Sequence, residues 1–117
     1  MNQTTLTTAV RKPRPNIGII DIQGDVTGFA ENILMDAFSQ ASNGSTNAIL
    51  LNFNGLDYMN SSGIGLLVTL LIRTQRQKQK LLACGLSAHY EEIFKLTRLN
   101  EAIGIYADES DALAALS

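Results

Sequence analysis

Apolar residues along this chain gather into short runs and helical stripes, separated by breaks that carry glycine, asparagine or proline. Ile17 to Ile22 is short and isoleucine-rich, which predicts a strand, stopped at Gln23-Gly24-Asp25. Thr27 reads as the N-cap of the next helix. Ile33, Leu34, Ala37, Phe38 and Ala41 recur at helical spacing, so an amphipathic helix is expected over residues 28–42, ended by Asn43-Gly44. Ala48 to Leu51 predicts a buried strand, broken at Asn54-Gly55. A second apolar run starts at Ile64, and Ser61 and Ser62 stand where its helix would be capped.

Lys80 to Cys84 predicts another strand, closed by Gly85. Ser87 is expected to cap a third helix carrying Ile93, Phe94 and Leu96, with Glu91 and Glu92 near its N-terminal dipole. Ile103 to Tyr106 reads as a last strand, and Asp108 as the cap of a C-terminal helix with Leu113 and Leu116 on one side. Upstream, Thr4 to Val10 is a weak, threonine-rich strand. Pro13 and Pro15 forbid a central strand over Arg11 to Asn16, which reads as a turn or loop between antiparallel strands, its basic trio Arg11, Lys12 and Arg14 solvated. The order is β-β-α-β-α-β-α-β-α. Alternation of this kind gives an α/β domain with right-handed parallel crossovers.

The helix after Ser61 carries a further expectation. At about 100° per residue, Ile64, Leu67, Val68 and Leu71 fall on one side, as a core stripe would. Leu66 and Leu70 then fall elsewhere, near Thr69 and Arg73. Two readings of these leucines stand: an exposed docking patch beside the serines, or a contact covered by another element such as the C-terminal helix.

Composition narrows the function classes. The 117 residues suit one domain, with residues 1–16 a weak strand and loop and 17–117 the core. A net charge of −2 and a pI near 5.2 argue against a general nucleic-acid binder. Cys84 is the only cysteine, which excludes an internal disulfide and a cysteine-based zinc site. The N-terminus lacks a signal-peptide pattern, and no apolar run approaches the roughly 20 residues of a membrane span, so a cytoplasmic protein is expected. No enzyme site emerges. His89 is alone, the acidic residues Asp21, Asp25, Glu31 and Asp57 are scattered, and Gly63-Ile-Gly65 lacks the rest of a phosphate-binding loop. Neither a cofactor nor a metal is expected.

Asp57-Tyr-Met-Asn-Ser-Ser-Gly-Ile-Gly-Leu-Leu resembles the signature loop and helix of the STAS domain of bacterial anti-sigma factor antagonists. Gln23-Gly24-Asp25-Val26 is similar to that family's strand-ending motif, and Phe94-Lys-Leu-Thr-Arg-Leu99 resembles its late helix. The resemblance implies a STAS-like single domain, a mixed four- to five-stranded sheet flanked by about four helices, without enzymatic activity. It implies binding to an anti-sigma factor that is also a serine kinase, which releases a sigma factor. A serine at the start of the central helix is phosphorylated by that kinase and restored by a phosphatase; by position it is Ser61. Thr27, Asn60, Ser61, Ser62, Gly63, Leu66 and Leu70 are the corresponding partner-binding residues. Two positions depart from the family, which usually has aspartate where Asn60 and Thr27 stand. The alternative is a non-phosphorylated STAS scaffold or interaction module in a signalling complex. No nucleic-acid or membrane partner is implied, and the chain is expected to be a monomer or weak homo-oligomer.

Overall fold

The computed structural model describes residues 5–116. Strand β1 (Leu6–Arg14) turns at Pro15-Asn16 and returns antiparallel as β2 (Ile17–Val26). A 3₁₀ turn (Gly28–Ala30) leads into α1 (Glu31–Ala41), followed by β3 (Ala48–Met59), α2 (Ser61–Arg76), β4 (Lys80–Cys84) and α3 (Ala88–Leu96). A second 3₁₀ turn (Leu99–Glu101) precedes β5 (Gly104–Tyr106) and α4 (Glu109–Ala115). The sheet order follows the chain, β1-β2-β3-β4-β5, and all neighbours after the first pair are parallel. The expected mixed sheet and order of strands and helices are the observed ones.

Side-chain alternation sends the central strands' residues to two different cores. Ile20, Ile22, Ile49, Leu51, Leu81 and Ala83 pack with α1, α2 and α3. Ile17, Ile19, Ala48, Leu50, Leu82 and Cys84 pack with Ala112, Leu113 and Leu116 from the C-terminal helix. Burial on both faces explains why these strands read as unbroken apolar runs. In the larger core the rings of Phe53 and Phe94 meet edge to face, their centroids 6.4 Å apart. Cys84 is fully buried in the smaller one, and burial pushes its thiol up to about 11. No helix among the described residues is long and apolar enough to cross a membrane.

Both central strands outrun their apolar stretches. β2 passes through Gln23-Gly24-Asp25 to Val26, and β3 passes through Asn54-Gly55 to Met59. The predicted breaks are instead irregularities in a continuing ladder, with register shifts between Asp21 and Gln23 and between Gly24 and Asp25. Gly24 has φ +100 and lies against the Thr5 carbonyl, a conformation and a proximity that other residues resist. β1 likewise extends through the expected loop to Arg14. It is an edge strand, and Pro13 sits inside its register shift between Arg11 and Arg14, where a missing N–H does no harm. Thr4 lies outside the described residues. Ile33, expected on the buried stripe of α1, is exposed, and Leu96 at the end of α3 is 75% exposed. Ser87 and Asp108 cap α3 and α4 as expected, accepting from the N–H groups of Tyr90 and Asp111 at 3.4 and 2.9 Å.

Arg11, Lys12 and Arg14 are all exposed, as expected, and two of them are also engaged in hydrogen bonds. Arg11 donates from Nε and Nη2 to the Asp21 carboxylate at 2.6 and 2.7 Å, and from Nη2 and Nη1 to Glu109 at 2.7 and 3.1 Å. Lys12 Nζ donates to the Ala41 carbonyl at 2.8 Å, closing the C-terminal end of α1, while Arg14 is exposed. The Arg11 hydrogen bonds, aided by one from Asn52 Nδ2 at 2.8 Å, hold the Asp21 carboxyl below its ordinary 3.8. A depressed folded-state value contributes stability that is present at neutral pH and lost as pH falls through that value. Asp21→Asn is therefore expected to be less stable than the parent at pH 7 and to lose less stability on acidification below about pH 4. Urea unfolding at a series of pH values, followed by circular dichroism, measures both differences.

Candidate functional site

The tails of β2 and β3 end side by side, with Val26 opposite Met59, and each hands over to the start of a helix. The Asn60 N–H donates to the Val26 carbonyl at 3.3 Å, the last tie between them. Asn60 keeps extended backbone angles, and its Oδ1 accepts the Gly63 N–H at 2.9 Å. That is N-cap geometry, which suits a short side-chain amide. The cap of α2 is thus Asn60, and the two serines predicted as caps are its first helical residues, both exposed.

Gly63 is buried because the helix presses on the end of β2. A Cβ built there would run into the Val26 carbonyl and lie 3.0 Å from Met59 Cγ. Gly28 faces the second serine, since a Cβ on it would stand 3.4 Å from Ser62 Cβ. Thr27 is only 6% exposed, so it offers a partner little surface; its Oγ1 accepts the Phe29 N–H at 3.3 Å and shapes the turn. From below, the Tyr90 hydroxyl of α3 accepts the Met59 N–H at 2.9 Å, holding the last residue of β3. The sequence reading passed over Tyr90. Its signal is a place four residues before buried Phe94, on the inward side of that helix.

The contact at Gly63 fixes the rotation of α2. Its buried residues are Gly63, Leu66, Leu67, Leu70 and Thr74. Leu66 and Leu70, read as lying outside the core stripe, are 8% and 0% exposed and belong to the main core. Val68, read as core, faces solvent at 38%, while Ile64 and Leu71 are half-buried. The predicted stripe was turned by about one residue, roughly 100°. On the true outer face Ser61, Gly65, Val68 and Ile72 fall within about 60° of arc. Ile72 is 44% exposed, and a Cβ on Gly65 would meet nothing. Phe29, 80% exposed, and Ile33 stand four residues apart on the adjoining segment that begins at Gly28. Five of the seven predicted site residues, Thr27, Asn60, Ser61, Ser62 and Gly63, therefore meet at one corner. Leu66 and Leu70 support that corner from inside.

The corner presents hydroxyls, free aliphatic surface and the positive end of a sixteen-residue helix, an arrangement suited to modification and protein contact. His89 lies exposed on α3, its ring against that of Tyr90 at 4.8 Å. Among the described residues no group of three or more metal-ligating side chains comes together. Asn60→Ala is expected to cost about 1 kcal/mol of stability through loss of the cap. Gly63→Ala, which forces α2 away from β2, is expected to cost about 1–3 kcal/mol. Urea denaturation of the two variants checks both figures and their order.

The chain matches the family model described as the STAS domain over residues 9–112. No curated protein matches it in sequence. Its fold is similar to that of an anti-sigma factor antagonist from Mycobacterium paratuberculosis, with TM-score 0.80 and 17% identity over 95% of this chain and 93% of that one. It is similar to the Bacillus cell fate determinant SpoIIAA in its phosphorylated form, with TM-score 0.74 and 20% identity over 95% of this chain and 100% of that one. The anti-sigma factor antagonist SpoIIAA in its unphosphorylated form aligns with TM-score 0.72 and 16% identity over 93% and 96% of the two chains. The structural likeness at these identities is one of fold, and the family match spans both strand tails, the Asn60 cap and all of α2. The chain belongs to the STAS domain family.

Proposed function

We propose that this protein is an anti-sigma factor antagonist controlled by phosphorylation of Ser61. In the unmodified state it binds and sequesters an anti-sigma factor that is also a serine kinase, which frees a sigma factor for transcription. The kinase phosphorylates Ser61 and ends the association, and a serine phosphatase restores it. The cycle belongs in the cytoplasm, where sigma factors act. The observation that carries this reading is the place of Ser61: exposed, in the first turn of α2, at the head of the outer stripe of Gly65, Val68 and Ile72. Folds similar to this one include a SpoIIAA in phosphorylated and in unphosphorylated form.

The physics of the switch follows from that placement. A phosphate brings about −2 of charge to the end of an apolar surface, so a partner packed there would have to desolvate it. The helix N-terminus accommodates the same charge locally, so the modified domain keeps its fold. Asn60 supports the reading in its own way. It caps the helix as aspartate would, without a carboxylate next to the serine, so the incoming phosphate meets less repulsion.

Ser61→Asp is expected to weaken binding to the cognate kinase by about tenfold or more, equivalent to ~1.4 kcal/mol. Ser61→Ala is expected to bind like the parent and to take up no phosphate from labelled ATP. Val68→Asp is expected to weaken binding while leaving the circular dichroism spectrum unchanged. Calorimetry with the purified kinase measures all three. If both Ser61 variants bound like the parent and the native protein carried no phosphate, the reading would be replaced by the non-phosphorylated STAS scaffold.

A further inference from the structure

Among the described residues, the second core, on the sheet face away from α2, is covered by α4, Leu116 and Tyr106. α4 has seven residues, too few to be stable as an isolated helix. Only Ala112 is fully buried, with Leu113 and Leu116 half-buried beside it. Beneath them lie Ile17, Ile19, Leu50, Leu82 and Cys84, a buried cluster packed against this short element and Tyr106 of β5. At its N-terminal end α4 is tied down by the two hydrogen bonds from Arg11 to Glu109.

The receiving side of that tie is built independently of α4. Arg11 is held by both oxygens of Asp21 at 2.6 and 2.7 Å, and Asp21 is held in turn by Asn52 Nδ2 at 2.8 Å. These three residues sit on β1, β2 and β3, so the guanidinium keeps its position whether or not Glu109 is present. The helix carries its own cap, Asp108 Oδ1 accepting from the Asp111 N–H, so its first turn is braced from within its own segment. A short element with one fully buried side chain, a charged tie at its start and a preformed socket is the kind that opens locally before the domain unfolds.

We infer that α4 is a hinged cover, latched by Glu109 on Arg11, which opens without global unfolding. Opening bares an apolar platform of Ile17, Ile19, Leu50 and Leu82 on the face opposite Ser61, and makes Cys84 reachable. This inference does not rest on the phosphorylation reading and is tested on the protein alone.

Cys84 is the reporter. Its reaction with 5,5′-dithiobis(2-nitrobenzoate) is followed at pH 8 in increasing, sub-denaturing urea, beside hydrogen exchange of the β3 amides. Labelling is expected to proceed with a urea dependence well below that of β3 exchange, because opening seven residues exposes little surface. Glu109→Gln, which leaves the Arg11–Asp21 pair intact, is expected to speed labelling about two- to fivefold. Leu113→Ala is expected to speed it about tenfold, with β3 exchange changed far less. Labelling with the same urea dependence as β3 exchange would show that Cys84 is reached only by global unfolding and would overturn the inference. So would labelling rates in both variants equal to the parent's.

Discussion

The corner that carries Ser61 depends on one close approach, the backbone of α2 at Gly63 against the carbonyl of Val26. A helix can come so near a strand end only where it has no side chain, and the approach has two consequences. It sets the rotation of the whole helix, since once residue 63 faces inward the aliphatics at 66, 67 and 70 must follow. It also brings the first turn beside the start of the 3₁₀ turn at Gly28, so that elements far apart in the chain share a surface. The Asn60 N–H bonds the same Val26 carbonyl, and the Tyr90 hydroxyl holds the neighbouring end of β3 at Met59.

The order of elements was legible because each has a local signal. Short apolar runs mark the strands, and Ser87 and Asp108 each begin a helix with a side-chain acceptor. The rotation of α2 was not legible, and its composition says why. Seven of its residues, Ile64, Leu66, Leu67, Val68, Leu70, Leu71 and Ile72, are aliphatic, so several faces satisfy a core pattern almost equally. The choice among them is made by a tertiary contact at a glycine, which hydrophobic periodicity cannot register. Buried Thr74, a polar residue on the inner face, would also have pointed away from the right answer.

The strand tails failed for a related reason. Beyond Ile22 and Phe53 the residues turn polar and include glycines, which locally describe a loop. They remain in the sheet because β2 and β3 are each other's neighbours and keep pairing through bulges after the apolar run ends. Those polar tails are what project the candidate site beyond the helices' packing surface. Residues chosen for one local rule serve a different, longer-range one there: Thr27 caps the turn after β2 as its position suggests, while at α2 the cap is Asn60 and not the serines that follow it.

The two margins of the sheet also differ from its centre. On one side β1 carries Arg11, Lys12 and Arg14 around Pro13, with a break in register; on the other, β5 is three residues long. Unpaired strand edges are templates for pairing with other chains, and charge, proline and brevity each spoil such a template. The smooth, strongly apolar strands, which would be hazardous at a margin, are the ones enclosed in the middle. The aliphatic side chains exposed on α2 and on the segment that begins at Gly28 are thereby not joined by a long, regular backbone edge open to another chain.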